Sequence, residues 1–139
     1  MKYLLDTNII SELVKKQPNT GILNWIKERD ENNLYLSVLT FGELLKGITK
    51  LNDKVRAQKL QSWLDQDLKH RFEGRTLVID QEVAETWGRI QGINEGRGVK
   101  LPVMDSLIAA TAITYNLIVV TRNVGDIERC QAAVFNPWV

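Results

Sequence analysis

Four acidic residues stand directly after predicted strands or near the start of the helices that follow them. Asp6 directly follows a short apolar run. Asp126 follows a second apolar run, 117–120, after a short loop. Glu43 and Asp105 lie near the start of predicted helices. Ligand sites of open parallel sheets form beyond the carboxyl ends of the strands. We therefore expect these four carboxylates to meet at one edge of a sheet.

Clustered carboxylates repel one another and raise one another's pKa values unless a cation lies among them. Oxygen-only ligation favours a hard divalent ion, Mg²⁺ or Mn²⁺. Zinc sites of the usual kinds lack ligands here, because the chain has one histidine, His70, and one cysteine, Cys130. The matching chemistry is attack on a phosphodiester by metal-activated water. The four acids are thus predicted to be both catalytic groups and metal ligands.

Each acid also has a purely structural interpretation. Asp6 and Asp105 are suited to cap the helices that follow them. Glu43 stands three positions after Thr40, as in a capping box, and an ion pair with Lys46 is a further alternative. The shared position of the acids at one predicted sheet edge favours the functional interpretation.

Strand and helix patterns alternate along the chain, which is the arrangement of a parallel sheet covered by helices. Predicted strands lie at 3–5, 34–38, 77–79 and 117–120, with a last short one at Val134 and Phe135. Predicted helices lie at about 9–14, 19–29, 40–48, 52–70, 80–93 and 104–115. In the 52–70 helix, one face is expected to be buried: Val55, Leu60, Trp63, Leu64 and Leu68. The prediction is a single domain over 1–139, a three-layer α/β/α fold with a central, mainly parallel sheet.

The composition and charge of the chain limit the classes of protein to which it can belong. The chain has 139 residues, of which 44% are hydrophobic and 25% charged, as in an ordinary globular domain. Its net charge of +1 provides no global attraction to nucleic acid or to an anionic membrane. No apolar run approaches the roughly 18 residues that a transmembrane helix needs. A soluble, cytoplasmic protein without membrane contact is expected.

Several segments together resemble the PIN-domain ribonucleases, and among them the VapC-like and FitB-like toxins of type II toxin–antitoxin pairs. The resemblance covers nearly the whole chain. It is carried by Leu4-Leu5-Asp6-Thr7-Asn8, by Ser37–Glu43, by Leu101–Ala112, by Thr121–Asp126 and by the closing Asn136-Pro137-Trp138.

The resemblance implies roles for particular residues. Asp6, Glu43 and Asp105 are similar to the three metal-binding acids that occur most consistently in the family, and Asp126 is similar to the fourth. Polar side chains are implied to support them: Asn8, Thr121 and Asn123. Some relatives carry an acid where Asn123 stands, and many carry Phe where this chain has Ile127.

The resemblance also implies partners. Such proteins cleave RNA in single-stranded or loop regions, are held inactive by a cognate antitoxin, and usually form homodimers. Operator DNA would be bound only through the antitoxin. We further predict that an antitoxin helix docks in an apolar groove between the first helices and the 52–70 helix.

Basic and aromatic residues near the acids are compatible with RNA binding. The basic residues that could contact phosphates are Lys46, Lys50, Arg97, Lys100 and Arg122. Trp63 and Trp87 fall on apolar helix faces, so Trp25 and Trp138 are the tryptophans available for a partner.

Other functional classes fit less well. A receiver-type signalling module needs adjacent acids after the first strand, and a haloacid-dehalogenase-type phosphatase needs an aspartate where Asn8 stands. The remaining alternative is a catalytically silent PIN-type partner that acts only in an antitoxin complex.

Overall fold

A five-stranded parallel sheet runs through the centre of the molecule in the computed structural model, which describes residues 1–138. The strand order is β3-β2-β1-β4-β5, and each neighbouring pair is parallel. The strands are β1 (Tyr3–Leu5), β2 (Leu34–Ser37), β3 (Thr76–Leu77), β4 (Ile118–Val120) and β5 (Val134–Phe135). The predicted α/β class with a parallel sheet is confirmed.

Helices connect the strands and cover both faces of the sheet. They are α1 (Thr7–Leu13), α2 (Thr20–Lys27), α3 (Val38–Thr49), α4 (Lys54–Ser62), α5 (Lys69–Arg71), α6 (Gln81–Gly96), α7 (Val103–Tyr115) and α8 (Val124–Arg129). A π-helical segment, Trp63–Leu68, joins α4 to α5, and a short 3₁₀ turn, Glu31–Asn33, precedes β2. No helix among the described residues has the length and apolar character needed to cross a membrane.

The two faces of the sheet belong to two separate hydrophobic clusters. Leu4 and Val119 pack in the cluster formed with α6, α7 and α8, whereas Leu5 and Val120 pack in the cluster formed with α1, α2 and α3. Successive residues of a strand point to opposite faces, so neighbours in β1 and β4 enter different clusters. This is the packing of the predicted three-layer α/β/α fold.

Polar residues just before several helices set where those helices begin. The Asn19 side chain accepts from the backbone N–H groups of Gly21 and Ile22, and Asp80 accepts from that of Val83. Asn and Asp are among the residue types preferred at this position, because their side-chain oxygens can accept from the free N–H groups of the first turn. The prediction that Thr40 caps α3 was wrong, because Ser37 accepts from Leu39 N–H and the helix already begins at Val38.

The helix predicted at 52–70 and the strand predicted at 77–79 both differ from the structure at their ends. The 52–70 helix begins only at Lys54, and Val55 in its first turn is 67% exposed, so the prediction of a buried Val55 was wrong. Leu64 and Leu68 further along are buried as predicted. β3 stops at Leu77, since its partner strand β2 ends at Ser37 and leaves nothing for the next residues to pair with.

Candidate active site

Asp6 lies where β1 ends and α1 begins. Its backbone N–H donates to the Val120 carbonyl at the end of β4, and its Oδ1 accepts from Thr7 N–H at 2.8 Å as the cap of α1. The side chain is only 6% exposed, and burial raises the pKa of this carboxyl. The capping role and the site role are therefore compatible in one residue.

The hydroxyl of Thr121 orients Asp6. It donates to Asp6 Oδ2 at 2.8 Å and accepts from the Asn8 amide and from the Asn123 backbone N–H, each at 3.0 Å. A hydroxyl has one hydrogen to donate and two lone pairs that accept, so the full hydrogen-bonding capacity of this buried group is satisfied. Thr121 and Asn8 thus support the acid, in keeping with the roles that the resemblance implies.

Glu43 lies in the second turn of α3 and reaches toward the start of α1. Thr7 Oγ1 donates to Glu43 Oε1 at 2.6 Å, and the hydroxyl groups of Thr7 and Thr40 are 3.1 Å apart. The capping box between Thr40 and Glu43 is not formed, because α3 starts earlier. The alternative ion pair with Lys46 is also absent from the described part of the chain, so Glu43 is tied to the Asp6 loop instead.

Asp105 lies in the first turn of α7, and Asn123 connects it to Asp126. The Asn123 amide nitrogen donates to Asp105 Oδ2 at 2.8 Å and lies 3.3 Å from Asp126 Oδ2. Asp126 also pairs with Arg129 at 3.3 Å. The Asn123 amide thus bridges two carboxyl groups that also interact directly with each other.

The pKa of Asp105 reflects both its burial and the acids beside it. Burial, followed by the negative charges of Asp6 and Asp126, raises it from 3.8 to about 6. Asp105, Asp6 and Asp126 thus belong to one electrostatic cluster, although they come from three different elements.

A cavity of about 400 Å³ opens at this edge of the sheet. Asp6, Glu43 and Asp105 all contribute to its wall. The other lining residues are Thr7, Asn8, Ser11, Glu12, Lys15, Arg122, Asn123 and Trp138. Asp126 is not in the wall and joins the cluster through Asn123 and Asp105.

The carboxylates are gathered but not arranged as a finished metal site. Within residues 1–138, no three His, Cys, Asp or Glu side chains are placed closely enough to hold a metal ion. Hydrogen bonds from Thr7 and Asn123 hold Glu43 and Asp105 in their present orientations. The donor set, which consists of carboxylate and neutral oxygens, nevertheless suits a hard divalent cation.

The start of α7 is held in place by Ser106, the residue after Asp105. The fully buried Ser106 hydroxyl donates to the Val103 carbonyl at 2.8 Å. It accepts from Trp87 Nε1 at 3.0 Å and from Gln91 Nε2 at 2.8 Å, both on α6. Ala109 and Ala112, both small and buried, let the rest of α7 pack closely onto the sheet.

Four residues of the cavity wall were not predicted from the sequence as site residues: Thr7, Ser11, Glu12 and Lys15. Glu12 is 6% exposed, accepts from Asn19 N–H at 2.9 Å and pairs with Lys15 at 2.9 Å. These contacts lower the pKa of Glu12, the Lys15 bond contributing most. Thr7, adjacent to Asp6, was missed as the hydrogen-bond donor to Glu43. The signal for Glu12 was its place among apolar residues of α1, where an acid is unexpected.

The five basic residues proposed for phosphate contact differ in position. Arg122 lines the cavity. The other four are exposed and lie outside its wall: Lys46, Lys50, Arg97 and Lys100.

Comparison with known proteins identifies the family of this chain. The sequence pattern of the PIN domain matches residues 3–129, which is most of the chain. The chain belongs to the PIN domain family. The resemblance inferred from the sequence segments is thereby confirmed.

Relatives within the PIN domain family include toxins and ribonucleases. The chain is 36% identical to Toxin FitB of Neisseria gonorrhoeae over 135 residues, or 97% of each chain. It is 31% identical to VapC ribonuclease Y4jK of Sinorhizobium fredii, over 97% of this chain and 96% of the relative.

Solved structures agree in fold. The crystal structure of FitAcB from Neisseria gonorrhoeae superposes with a TM-score of 0.93 at 36% identity and covers 98% of both chains. A structure of FitAB bound to an IR36 DNA fragment has a TM-score of 0.91 at 34% identity and covers 99% of this chain and 96% of that one. The PIN-like three-layer architecture is thus shared with toxin–antitoxin proteins.

Proposed function

We propose that this PIN domain is a Mg²⁺- or Mn²⁺-dependent endoribonuclease and the toxin of a type II toxin–antitoxin pair. The observation that carries the proposal is the convergence of Asp6, Glu43 and Asp105, from three distant segments, on the wall of one cavity. The similarity to VapC ribonuclease Y4jK supports RNA as the substrate. Such an enzyme would act in the cytoplasm, where its RNA substrates are found.

The same three acids, together with Asp126, would hold the cation. When bound there, it would lower the pKa of a water molecule and stabilise negative charge on the phosphodiester. The raised pKa of Asp105 supports this assignment, because mutual repulsion among carboxylates is relieved by a positive charge. Thr121 and Thr7 would keep Asp6 and Glu43 oriented toward the cavity by the hydrogen bonds already described.

An RNA cleavage assay tests this function. The purified chain is incubated with a mixed single-stranded RNA substrate in Mg²⁺ or Mn²⁺, and the products are resolved by length. The Asp105→Asn variant should lose roughly a hundredfold or more in cleavage rate while remaining folded, since it removes a charge and keeps the side-chain shape. Exposed Asp67, which lies outside the cavity wall, provides the matched control Asp67→Asn.

The outcomes separate the enzyme from the silent alternative. Loss of cleavage in Asp105→Asn with retention in Asp67→Asn supports the enzyme. A folded wild-type chain that binds its partner but cleaves no RNA under any divalent metal supports the catalytically silent PIN-type partner. Equal cleavage by wild type and Asp105→Asn contradicts the proposed site.

The proposed partner is an antitoxin segment with an apolar face. A groove of about 300 Å³ lies between α1, α3 and α4, with Leu44, Ile48, Leu60 and Trp63 in its wall. It shares Ser11, Lys15 and Glu43 with the acidic cavity. A segment seated in the groove would therefore reach the acids and block them. The structure of FitAB bound to an IR36 DNA fragment supports such a partner and DNA binding by the complex. The homodimer stays a prediction.

A further inference from the structure

Trp138 brings an aromatic ring to the wall of the acidic cavity. Its indole lines the same space as Asp6, Glu43 and Asp105, beyond the end of strand β5. The backbone N–H of Trp138 donates to Asn136 Oδ1 at 3.0 Å, which fixes the turn that carries it. The side chain is partly buried at the margin of the cluster around Leu5 and Val120.

Arg122 lies against this ring. Its guanidinium carbon is 5.1 Å from the centroid of the Trp138 ring. Its backbone N–H is 3.4 Å from Asn8 Oδ1, which ties the residue to the polar network around Asp6. Arg122 has no acidic ion-pair partner among residues 1–138, although it lines a cavity rich in carboxylates.

An aromatic ring with a stacked arginine is a common way to hold an unpaired nucleotide. Bases of single-stranded nucleic acid stack on aromatic side chains, and arginine adds contacts to a base or a phosphate. The cavity volume of about 400 Å³ falls within the range of small-molecule sites, about 300–1,000 Å³. The indole N–H of Trp138 has no acceptor among the described residues and remains free to meet a polar edge.

The position of Trp138 distinguishes a nucleotide from an antitoxin segment as the occupant. The apolar groove proposed for the antitoxin is lined by Trp63, and Trp138 is not part of its wall. Trp138 contributes instead to the cavity in which the acids would act on a phosphodiester. The ring therefore lines the space in which the phosphodiester would react under the proposed function.

We propose that Trp138 and Arg122 form a subsite for one nucleotide of single-stranded RNA next to the phosphodiester that is cleaved. The base stacks with the indole, and the guanidinium of Arg122 contacts the adjoining phosphate. The subsite rests on the proposed ribonuclease function and adds to it a determinant of how the substrate is seated.

Binding of a short oligoribonucleotide tests the subsite directly. The Asp105→Asn variant, which should not cleave, serves as the background, and the dissociation constant of a fluorescent single-stranded oligonucleotide is measured in Mg²⁺. Adding Trp138→Leu, which keeps an apolar side chain of moderate size, should weaken binding roughly 5- to 150-fold, the range of one lost stacking contact. Trp138→Phe should retain most of the affinity, and Phe135→Leu, which changes an exposed aromatic residue outside the cavity wall, is the matched control.

Abasic substitution separates stacking from a structural effect. Each nucleotide of the oligonucleotide is replaced in turn by an abasic one. One position should weaken binding to the Trp138 protein and have no further effect on the Trp138→Leu protein. Arg122→Gln should lower the salt dependence of binding by about one phosphate contact.

The outcomes distinguish this subsite from the function on which it rests. A wild-type chain that cleaves RNA while Trp138→Leu binds it as tightly as the Trp138 protein overturns the subsite alone. Uniform weakening at every abasic position, or equal loss in Trp138→Phe, also overturns it, because a general packing defect would explain both. A chain that neither cleaves nor binds RNA overturns the subsite and the proposed function together.

Discussion

At the residue scale, the site depends on hydroxyl and amide groups as much as on the acids. The Thr121 hydroxyl contacts three groups, on Asp6, Asn8 and Asn123. Asn123 in turn stands between Asp105 and Asp126. These neutral groups hold the carboxylates near one another in spite of their charges.

Replacing Thr121 by valine should therefore destabilise the protein. The variant keeps the shape of the side chain but leaves buried polar groups without their partner, which costs roughly 1–3 kcal/mol of unfolding free energy. The measurement is urea unfolding of the metal-free protein. Thr111→Val is the matched control, because the hydroxyl of fully buried Thr111 makes, within residues 1–138, a single side-chain hydrogen bond, to the Leu107 carbonyl. Equal losses in the two variants would contradict the role assigned to Thr121.

The carboxyl group of Asp105 makes the stability of the metal-free protein depend on pH. Its pKa is raised in the fold from 3.8 to about 6, so the native state binds this proton more tightly than the unfolded chain. The stabilisation is complete below about pH 4 and is lost as the pH rises through about 6.

Asp105→Asn should remove this dependence. At pH 7 the metal-free variant should be more stable than wild type by about 1 kcal/mol, after allowance for the solvent that screens a partly exposed group. At pH 4 the difference should shrink, because wild type is then protonated. Urea unfolding at both pH values, with Asp67→Asn as control, measures it. A wild-type chain that gains stability relative to the variant between pH 4 and 7 would reverse the expected sign.

At the element scale, the sheet could be predicted well and the helix boundaries less well. The β4 run is apolar throughout because both faces of the strand are covered, so it was recognised from the sequence. The boundary of α3 was missed since Ser37 and Thr40 are both good caps, and only the tertiary structure selects Ser37. Trp63–Leu68 continues the helical pattern, and nothing in its spacing indicates a π-helical segment.

For the candidate site, the position of the acids could be predicted from the sequence, whereas their contacts could not. Asp6, Glu43 and Asp105 could be placed at one edge from the order of strands and helices. Their hydrogen-bond partners could not, because the contact of Thr7 with Glu43 joins two helices that are distant in the sequence.

The groove between α1, α3 and α4 provides a prediction at this scale. Gly47 of α3 lines it, and a Cβ added there meets no atom within 4 Å, so a side chain can leave the helix toward the groove. Gly47→Trp should therefore fold normally, yet it should weaken binding of the antitoxin by roughly tenfold or more, about 1.4 kcal/mol. Gly88→Trp on α6 is the control, as Gly88 is helical, exposed and equally free of neighbours.

Co-purification with the proposed antitoxin, sought as the product of a short reading frame next to the gene, gives the measurement. Wild type and Gly88→Trp should retain that product, and Gly47→Trp should lose it. Equal retention by both glycine variants would show that the antitoxin binds another surface.

At the scale of the whole molecule, charge is concentrated while the total is almost neutral. The net charge is +1, yet the acids Asp6, Glu12, Glu43 and Asp105 share one cavity with Arg122 and Lys15. A phosphodiester entering this cavity meets repulsion unless a cation is present. The central claim is therefore that the acids act together as a binding site for a divalent metal.

Titration of the metal-free protein with Mn²⁺, with calorimetry as the readout, tests that claim most directly. Wild type and Asp67→Asn should bind Mn²⁺ saturably, and at a hundredfold excess over the dissociation constant the folded state should gain about 2.7 kcal/mol. Asp105→Asn should bind at least tenfold more weakly. Equal Mn²⁺ affinity in wild type and Asp105→Asn, or no saturable binding to wild type, would contradict the account.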